Sequence, residues 1–262
     1  MSSTPSRISP TAHYTGHVWL KNGLSDPAFA TREGERLHMV LAPFMASSRA
    51  LGGPTIDEML LARHHLIDQL LERAIEDRTV VQVIEVAAGL SPRGWRMTRR
   101  YPQLRYLEAD LPGMIAKKRE VLARAAAVGA GHETFEIDAL ADAGPTSIAA
   151  IAARLDPARG TAIITEGLLN YFPGPVAIGM WRRFAGALAR FPSSLYLADL
   201  SLAEDGSTLV SVFRAALGVF VRGGVYLDLT ESAARRELLA AGFASAELHE
   251  PGERVHIVEA RT

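Results

Sequence analysis

The sequence predicts a single α/β domain built on a mostly parallel sheet. Five apolar, β-branched segments alternate with helical segments between residues 80 and 200, which indicates parallel strands joined by helical crossovers. Two further strand-like segments, 245–250 and 254–260, are separated by little more than Pro251 and Gly252, and so short a turn requires antiparallel strands. Of the 262 residues, 48% are hydrophobic and 22% are charged, so a large core can be buried.

The order of these segments defines the predicted sheet. Predicted strands cover residues 80–86, 104–110, 132–138, 161–166, 194–200, 245–250 and 254–260. Predicted helices between them cover residues 113–129, 145–155, 175–190 and 231–241. The third strand is the least apolar, so we expect it near an edge. The result is a seven-stranded sheet whose last strand runs antiparallel.

The segment before the first strand is predicted to form a helical cap over the sheet. Residues 1–12 are rich in Ser, Thr and Pro, and we expect them to be flexible. Residues 13–78 form the cap, in which Thr55 and Glu58 make a capping box that begins a helix of about five turns, ending near Asp77. Residues 203–231 interrupt the alternation and are interpreted as an insertion or lid, so that 13–262 is one domain.

Composition excludes several classes of function. The chain has no cysteine, which excludes a disulfide scaffold, cysteine–metal sites and a thiol nucleophile. A formal net charge of -1 disfavours nucleic acid as a partner. No apolar run is long enough to span a bilayer, and the N-terminal segment lacks the apolar region of a secretory signal. We therefore expect a cytoplasmic protein without membrane, nucleic-acid or metal partners, either a monomer or a homodimer.

Small residues follow the first strand, where open α/β sheets bind ligands. Ala87, Ala88 and Gly89 would allow close approach of a ligand to the backbone beyond Glu85. The spacing does not match G-x-G-x-x-G, so a pyrophosphate-binding turn is disfavoured. An ordinary strand–helix turn is the alternative interpretation.

Acidic residues end three successive strands at the same edge of the sheet. Glu108 and Asp110 end the second strand, Asp138 follows the third and Glu166 follows the fourth. Carboxylates at this edge accept hydrogen bonds from ribose hydroxyls or amino groups. They also favour a nearby positive charge. For each of these residues considered alone, the alternative interpretation is a solvent-exposed carboxylate at the end of a strand.

One arginine lies on the apolar stripe of the capped helix. Arg63 falls between Leu60 and Ile67, and a buried guanidinium needs an anionic partner. That partner is either the carboxylate of a ligand, held in bidentate fashion, or an acid of the protein.

Four segments carry a resemblance to a known family. VIEVAAGLSPRGWRM, YLEADLPGMIAKKR, FEIDALAD and AIITEGLLNYF resemble the successive motifs of the leucine carboxyl methyltransferase family. The likeness is greater to its bacterial branch, the tetracenomycin-type polyketide O-methyltransferases, and covers about residues 11 to 200. It implies a Rossmann-like class I methyltransferase fold, S-adenosylmethionine as cofactor, and methyl transfer to oxygen, often of a carboxylate.

The resemblance also implies roles for individual residues. The implied cofactor-binding residues are Arg63, Glu85, Ala87, Gly89, Glu108, Asp110, Asp138, Ala139 and Glu166. Asp110 corresponds to the ribose-binding acid, Asp138 to the acid near adenine, and Arg63 to the arginine that holds the cofactor carboxylate. Lys21 matches an N-terminal lysine of the family loosely. The turn departs from the family because Ser91 and Pro92 replace its usual Asp-Thr pair.

The choice of acceptor decides whether a general base is needed. A carboxylate is already ionised at neutral pH, whereas a phenol benefits from a base such as histidine. His17 and Tyr171 are the candidate catalytic residues. The candidate substrate-binding residues are Tyr14, Trp19, Tyr171, Arg214, Arg222 and Tyr226. We expect a small-molecule acceptor, such as a polyketide-like or other secondary metabolite.

Three alternatives stay open at this stage. A nicotinamide-dependent oxidoreductase is disfavoured by the missing glycine pattern and by the terminal antiparallel strands. A methyltransferase-like protein that binds cofactor without catalysis, or acts as an interaction module, is compatible with the acids at the strand ends. An enzyme that methylates a protein C-terminus is disfavoured by the short cap.

Overall fold

The computed structural model describes residues 10–50, 55–202, 229–251 and 255–262. The helices in these residues are α1 (Pro10–Lys21), α2 (Arg32–Ala50), α3 (Ile56–Glu76), α4 (Arg93–Arg100), α5 (Pro112–Leu122), α6 (Ile148–Ala152), α7 (Gly174–Leu188) and α8 (Glu231–Ala241). The strands are β1 (Gln82–Val86), β2 (Arg105–Asp110), β3 (His132–Glu136), β4 (Thr161–Thr165), β5 (Ser194–Leu200), β6 (Ser245–His249) and β7 (His256–Arg261).

The strands form one seven-stranded sheet in the order β3-β2-β1-β4-β5-β7-β6. β1 to β5 pair in parallel, while β7 lies between β5 and β6 and runs antiparallel to both. This arrangement confirms the predicted sheet, its antiparallel last strand and the edge position of β3. The chain reverses its direction across the sheet between β1 and β4, and such a switch point opens a crevice at the carboxyl ends of these strands.

Helices cover both faces of the sheet and bury its central strands. On one face, Trp181 and Phe184 of α7 pack with residues from α6, α8 and the sheet. On the other face, Ile67 and Leu71 of α3 pack against strand residues such as Val83. Every residue of β1, β4 and β5 is buried, as expected for parallel strands covered on both sides.

The N-terminal part contains more helix than the sequence pattern predicted. α1 begins at Pro10, inside the segment 1–12 that was predicted to be flexible, and α2 is a continuous helix that includes Pro43. α2 buries Met45 against α1 and α3 but exposes Met39 and Val40. Apolar residues on both sides of the helix obscure its period, which is why the pattern indicated a helical cap but not one continuous helix there.

The structure corrects the lengths of two predicted helices. α5 ends at Leu122 and α6 covers only Ile148–Ala152, so both helices are shorter than predicted. Most of the predicted insertion, residues 203–228, lies outside the described residues. Among the helices that the structure describes, none is both long and apolar enough to cross a membrane.

The capping box at the start of α3 is confirmed. Thr55 Oγ1 accepts a hydrogen bond from the Glu58 amide at 3.2 Å, and Glu58 Oε2 accepts one from the Thr55 amide at 2.8 Å. α3 ends at Glu76, with Asp77 as its C-cap, as predicted. This helix carries Arg63 and His64 to the sheet, so its start helps to fix their positions.

Replacing the N-cap of α3 tests this contribution. Thr55→Ala removes the side-chain acceptor of the Glu58 amide, and we expect the free energy of unfolding to fall by about 1 kcal/mol in urea titrations. Ser47→Ala, which removes an exposed hydroxyl bonded within α2, serves as the control and should change it by less. Equal stability of Thr55→Ala and the wild type would contradict a role for this cap.

Candidate functional site

A cavity of about 350 Å³ opens at the carboxyl ends of β1 to β4. Its walls come from the residues that follow each of these strands, and α1 closes it from one side with Thr11, Ala12, Thr15 and Trp19. The volume is in the range of small-molecule sites. The cavity therefore lies where the sheet topology predicts a ligand.

The turn after β1 forms the floor of the cavity. Ala87 and Gly89 have positive φ angles of 56° and 50°, a conformation that favours glycine. The Gly89 amide donates to Asp110 Oδ2 at 2.7 Å, and the Leu111 amide donates to Asp110 Oδ1 at 2.7 Å. Two backbone amides thus fix the Asp110 carboxylate at the end of β2.

Burial raises the pKa of Asp110, and the hydrogen bonds from Gly89 and Leu111 offset part of that effect. A ligand that donates further hydrogen bonds to this carboxylate would favour its charged form. Asp110 is therefore a fixed acceptor suited to hydroxyl donors.

The next wall combines a carboxylate with apolar side chains. Asp138 Oδ1 accepts a hydrogen bond from the Leu140 amide at 2.9 Å, which fixes the turn after β3. Ala139 lies in this turn and also lines the cavity. Leu111 and Met114 also line the cavity and supply apolar surface. The combination suits a flat, apolar group with polar edges.

A buried arginine joins the elements behind the cavity. Arg93, at the start of α4, is 0% exposed. Its guanidinium donates to Asp68 Oδ1 at 2.6 Å, to Glu85 Oε1 at 2.7 Å and to Glu166 Oε2 at 2.6 Å. The second carboxylate oxygen of Glu85 accepts from the Tyr106 hydroxyl at 2.7 Å. Glu85 therefore lines the cavity but has protein partners on both oxygens.

Glu166 is held by three cationic or polar side chains. Arg63 Nε lies 3.0 Å from Glu166 Oε1, and His64 Nδ1 lies 2.9 Å from Oε2, the oxygen that Arg93 also contacts. Burial alone would raise the pKa of Glu166, but His64, Arg93 and Arg63 outweigh it and hold the pKa well below its ordinary value. Glu166 is thus a fixed anion, not a proton acceptor.

Of the two partners considered for Arg63 from the sequence, the structure shows acids of the protein. Arg63 Nη1 donates to Asp199 Oδ2 at 3.1 Å in addition to the contact with Glu166, so it forms salt bridges within the protein. The residue also lines the cavity. Gly167, with φ 68°, makes room for it: a Cβ there would lie 3.2 Å from Arg63 Nη2.

Glu108 was predicted to bind the cofactor beside Asp110, and this placement is wrong. Glu108 is fully buried outside the cavity, 3.0 Å from Lys118 Nζ and 3.0 Å from His132 Nε2. It lies inside β2, two residues before Asp110 at the end of the strand. Glu108 is therefore roughly 7 Å further than Asp110 from the carboxyl edge of the sheet. At that depth α4 and α5 cover its face. Burial opposes its ionisation, but Lys118 and His132 lower its pKa.

The predicted residues of α1 divide between two faces of the helix. Trp19 lies on the cavity face, whereas Tyr14 and His17 do not reach the cavity. The Tyr14 hydroxyl donates to Asp57 Oδ1 at 2.6 Å, and the His17 ring packs 4.9 Å from that of His38. Thr11, Thr15 and Trp19 recur every four residues on the cavity face, whereas Tyr14 and His17 lie on the faces towards α3 and α2.

The structure describes two of the five remaining candidate residues, Tyr171 and Lys21. Tyr171 lines the cavity beside Phe172 and stays a candidate for substrate contact. Lys21 is exposed and lies 3.4 Å from His38 Nε2, away from the cavity. Three candidates, Arg214, Arg222 and Tyr226, lie outside the described residues.

Sequence reasoning assigned no role to four residues behind the cavity, namely His64, Asp68, Arg93 and Asp199. For two of them, Asp199 and Asp68, the sequence itself indicates a buried charged side chain. Asp199 is charged inside the apolar strand SLYLADL, and Asp68 adjoins Ile67 on the buried stripe of α3. Charged residues in such positions require partners. Burial raises the pKa of Asp199, while Arg63 and the Gly167 amide lower it.

Comparison with known proteins assigns the chain to a family. The family model for leucine carboxyl methyltransferase matches residues 26–178, more than half of the chain. The chain belongs to the leucine carboxyl methyltransferase family. The resemblance seen in the sequence motifs is thereby confirmed.

Individual relatives of this family member agree with the assignment. A Mycobacterium bovis protein, named provisionally as an S-adenosyl-L-methionine-dependent methyltransferase, is 29% identical over 164 residues, which cover 62% of this chain and 47% of that protein. The chain thus spans about half the length of the curated relatives it matches. The name of that relative agrees with the cofactor expected from the sequence, S-adenosylmethionine.

Solved structures share the fold of this leucine carboxyl methyltransferase family member. A protein of the family designated DUF574 from Streptomyces avermitilis has a TM-score of 0.66 and 14% identity, covering 98% of each chain. Magnesium protoporphyrin IX methyltransferase from Synechocystis, solved with S-adenosylhomocysteine, has a TM-score of 0.50 and 15% identity, covering 85% of this chain and 98% of that one. The likeness confirms the Rossmann-like class I methyltransferase fold.

The lowered pKa of Glu166 predicts how stability depends on pH. Because its pKa in the folded protein lies below the ordinary 4.5, Glu166 stabilises the fold above that pH and loses its contribution as pH falls through the folded value. We expect the difference in unfolding free energy between the wild type and Glu166→Gln to shrink from about pH 6 to about pH 3.

Urea unfolding over this pH range measures that difference. Glu231→Gln, in an exposed ion pair with Arg235, is the control and should show a small difference at every pH. A gap between wild type and Glu166→Gln that stays constant down to pH 3 would contradict the assigned pKa shift.

Proposed function

We propose that this protein is an S-adenosylmethionine-dependent O-methyltransferase that methylates a carboxylate of a small molecule, such as a polyketide-like or other secondary metabolite. The observation that carries the proposal is the cavity at the carboxyl ends of β1 to β4, where Asp110 is fixed by the Gly89 turn in a chain of this family.

The residues around the cavity fit S-adenosylmethionine. Asp110 presents a fixed carboxylate for the ribose hydroxyls, as acids at this position do in nucleotide-binding sheets. Asp138 and Ala139, with the apolar side chains of Leu111 and Met114, suit adenine. Arg63, on the opposite side of the cavity, offers a guanidinium for the amino-acid carboxylate.

Bound S-adenosylmethionine supplies a methyl group on a positively charged sulfur, so an ionised acceptor oxygen can bond to the methyl carbon while the sulfur keeps the electrons of the broken bond. The protein's residues have to bind, orient and exclude water. The carboxylates of Asp110 and Glu166 at the cavity wall would also favour a positive charge on a ligand.

The absence of a histidine from the cavity supports a carboxylate acceptor. All eight histidines of the chain lie within the described residues, and none of them lines the cavity. His13 and His64 each adjoin a lining residue in sequence, but His13 contacts Thr31 and His64 is fully buried against Glu166 and Arg93. Glu166 is a poor base because its pKa is lowered. An acceptor that is already ionised needs no base, which favours a carboxylate over a phenol.

Acceptor binding is assigned to the aromatic residues of the cavity wall, namely Trp19, Tyr171 and Phe172. Arg214, Arg222 and Tyr226 remain candidates for contacts with an acidic acceptor from the segment 203–228. We further expect a cytoplasmic protein that is a monomer or homodimer.

Cofactor binding tests the first part of the proposal. We expect S-adenosylhomocysteine to bind in calorimetric titrations, and Asp110→Ala to weaken binding by roughly 10- to 100-fold, because hydrogen bonds to a charged group are lost. Asp142→Ala is the matched control, since Asp142 is an exposed acid paired with Arg183 and does not line the cavity. Equal affinities of both variants and the wild type would place the ligand elsewhere.

Methyl transfer tests the second part. Incubation with S-adenosylmethionine carrying a labelled methyl group and a panel of small carboxylic acids and phenols should label base-sensitive ester products. Labelled phenol ethers alone would reject the carboxylate. Cofactor binding without transfer to any member of the panel would favour a methyltransferase-like binding protein, and binding of NADH in its place would favour an oxidoreductase.

A further inference from the structure

A buried hydrogen-bond donor in the cavity wall has no partner among the described residues. Trp19 is 5% exposed and lines the cavity, and its indole Nε1 makes no hydrogen bond there. An indole N–H can only donate, and leaving it unsatisfied in a buried place costs free energy. Trp95 shows the usual solution, because its Nε1 donates to the Ala126 carbonyl at 2.8 Å.

The position of Trp19 connects it with Arg63. Its ring lies 4.7 Å from the ring of His64, the residue that follows Arg63 on α3. Trp19 and Arg63 both line the cavity, so its wall contains an N–H donor and a guanidinium. Lys21, the residue of α1 that loosely matches a lysine of the family, lies 3.4 Å from His38 Nε2 and does not line the cavity. Trp19 thus brings an N–H donor from α1 to the cavity wall.

We infer that the Trp19 indole N–H donates a hydrogen bond to a carboxylate held in the cavity beside Arg63. A carboxylate has only acceptor oxygens, and two of them can serve an N–H donor and a guanidinium together. An uncharged donor adds to the binding of the carboxylate without adding repulsion towards a positively charged sulfur. The inference rests on the proposed function.

Two carboxylates are compatible with this chemistry. One belongs to the amino-acid part of S-adenosylmethionine, and the other belongs to the acceptor. Trp19→Phe separates the hydrogen bond from the packing, because phenylalanine keeps an aromatic ring near His64 but lacks the N–H. Trp181→Phe is the matched control: Trp181 is buried on α7, interacts with Tyr196 and does not line the cavity.

Calorimetric titration with two nucleosides tests the cofactor as the source. S-adenosylhomocysteine carries the amino-acid carboxylate, and 5′-methylthioadenosine keeps the adenosine and the sulfur but lacks the amino-acid part. If the cofactor supplies the carboxylate, Trp19→Phe weakens S-adenosylhomocysteine by about tenfold or more and leaves 5′-methylthioadenosine unchanged. Trp181→Phe leaves both affinities unchanged.

Titration of benzoate into the protein saturated with S-adenosylhomocysteine tests the acceptor as the source. If the acceptor supplies the carboxylate, Trp19→Phe weakens benzoate alone. The inference is overturned if Trp19→Phe weakens neither S-adenosylhomocysteine nor benzoate, or if it weakens both nucleosides equally, which would indicate a packing role. A folded wild-type protein that binds neither nucleoside would reject the proposed function itself, and the inference with it.

Discussion

The buried guanidinium of Arg93 is the interaction on which the site depends. It joins three elements that are distant in sequence, because it donates to Asp68 on α3, to Glu85 on β1 and to Glu166 after β4. Removing one partner from such a buried network typically costs about 3–5 kcal/mol, since a charge is left uncompensated. The network therefore holds α3 against the switch point of the sheet, and with it the wall that carries Arg63.

The same network sets the charge of the cavity. Its carboxylates and guanidiniums are those of Asp68, Glu85, Glu166, Asp199, Arg63, Arg93 and Arg96. There is one carboxylate more than there are guanidiniums in this group, before His64 is counted. A site of this kind is compatible with a cationic ligand, and Glu166, whose pKa is held well below its ordinary value, is a poor proton acceptor. In the proposed reaction the protein's contribution is therefore to bind and orient, which agrees with the proposed carboxylate acceptor.

The sequence predicted the sheet more fully than the site. Alternating apolar segments and a short final turn were enough to predict the seven strands and their directions, because the central strands β1, β4 and β5 are buried on both faces. Acids at strand ends located Asp110, Asp138 and Glu166 at one edge, since parallel strands end together. Glu108 was misplaced because periodicity gives the face of a strand but not the depth at which helices cover it. Arg93 was not found because its partners come from three separate segments, and only the tertiary fold brings them together.

A crystal structure of the protein with S-adenosylhomocysteine tests the central claim most directly, because it shows both the position and the orientation of the ligand. The account predicts the ribose hydroxyls on the Asp110 carboxylate, adenine beside Asp138 and Ala139, and the amino-acid end towards Arg63. A ligand bound outside the cavity, or one whose ribose makes no contact with Asp110, would contradict the assignment of this cavity as the cofactor site.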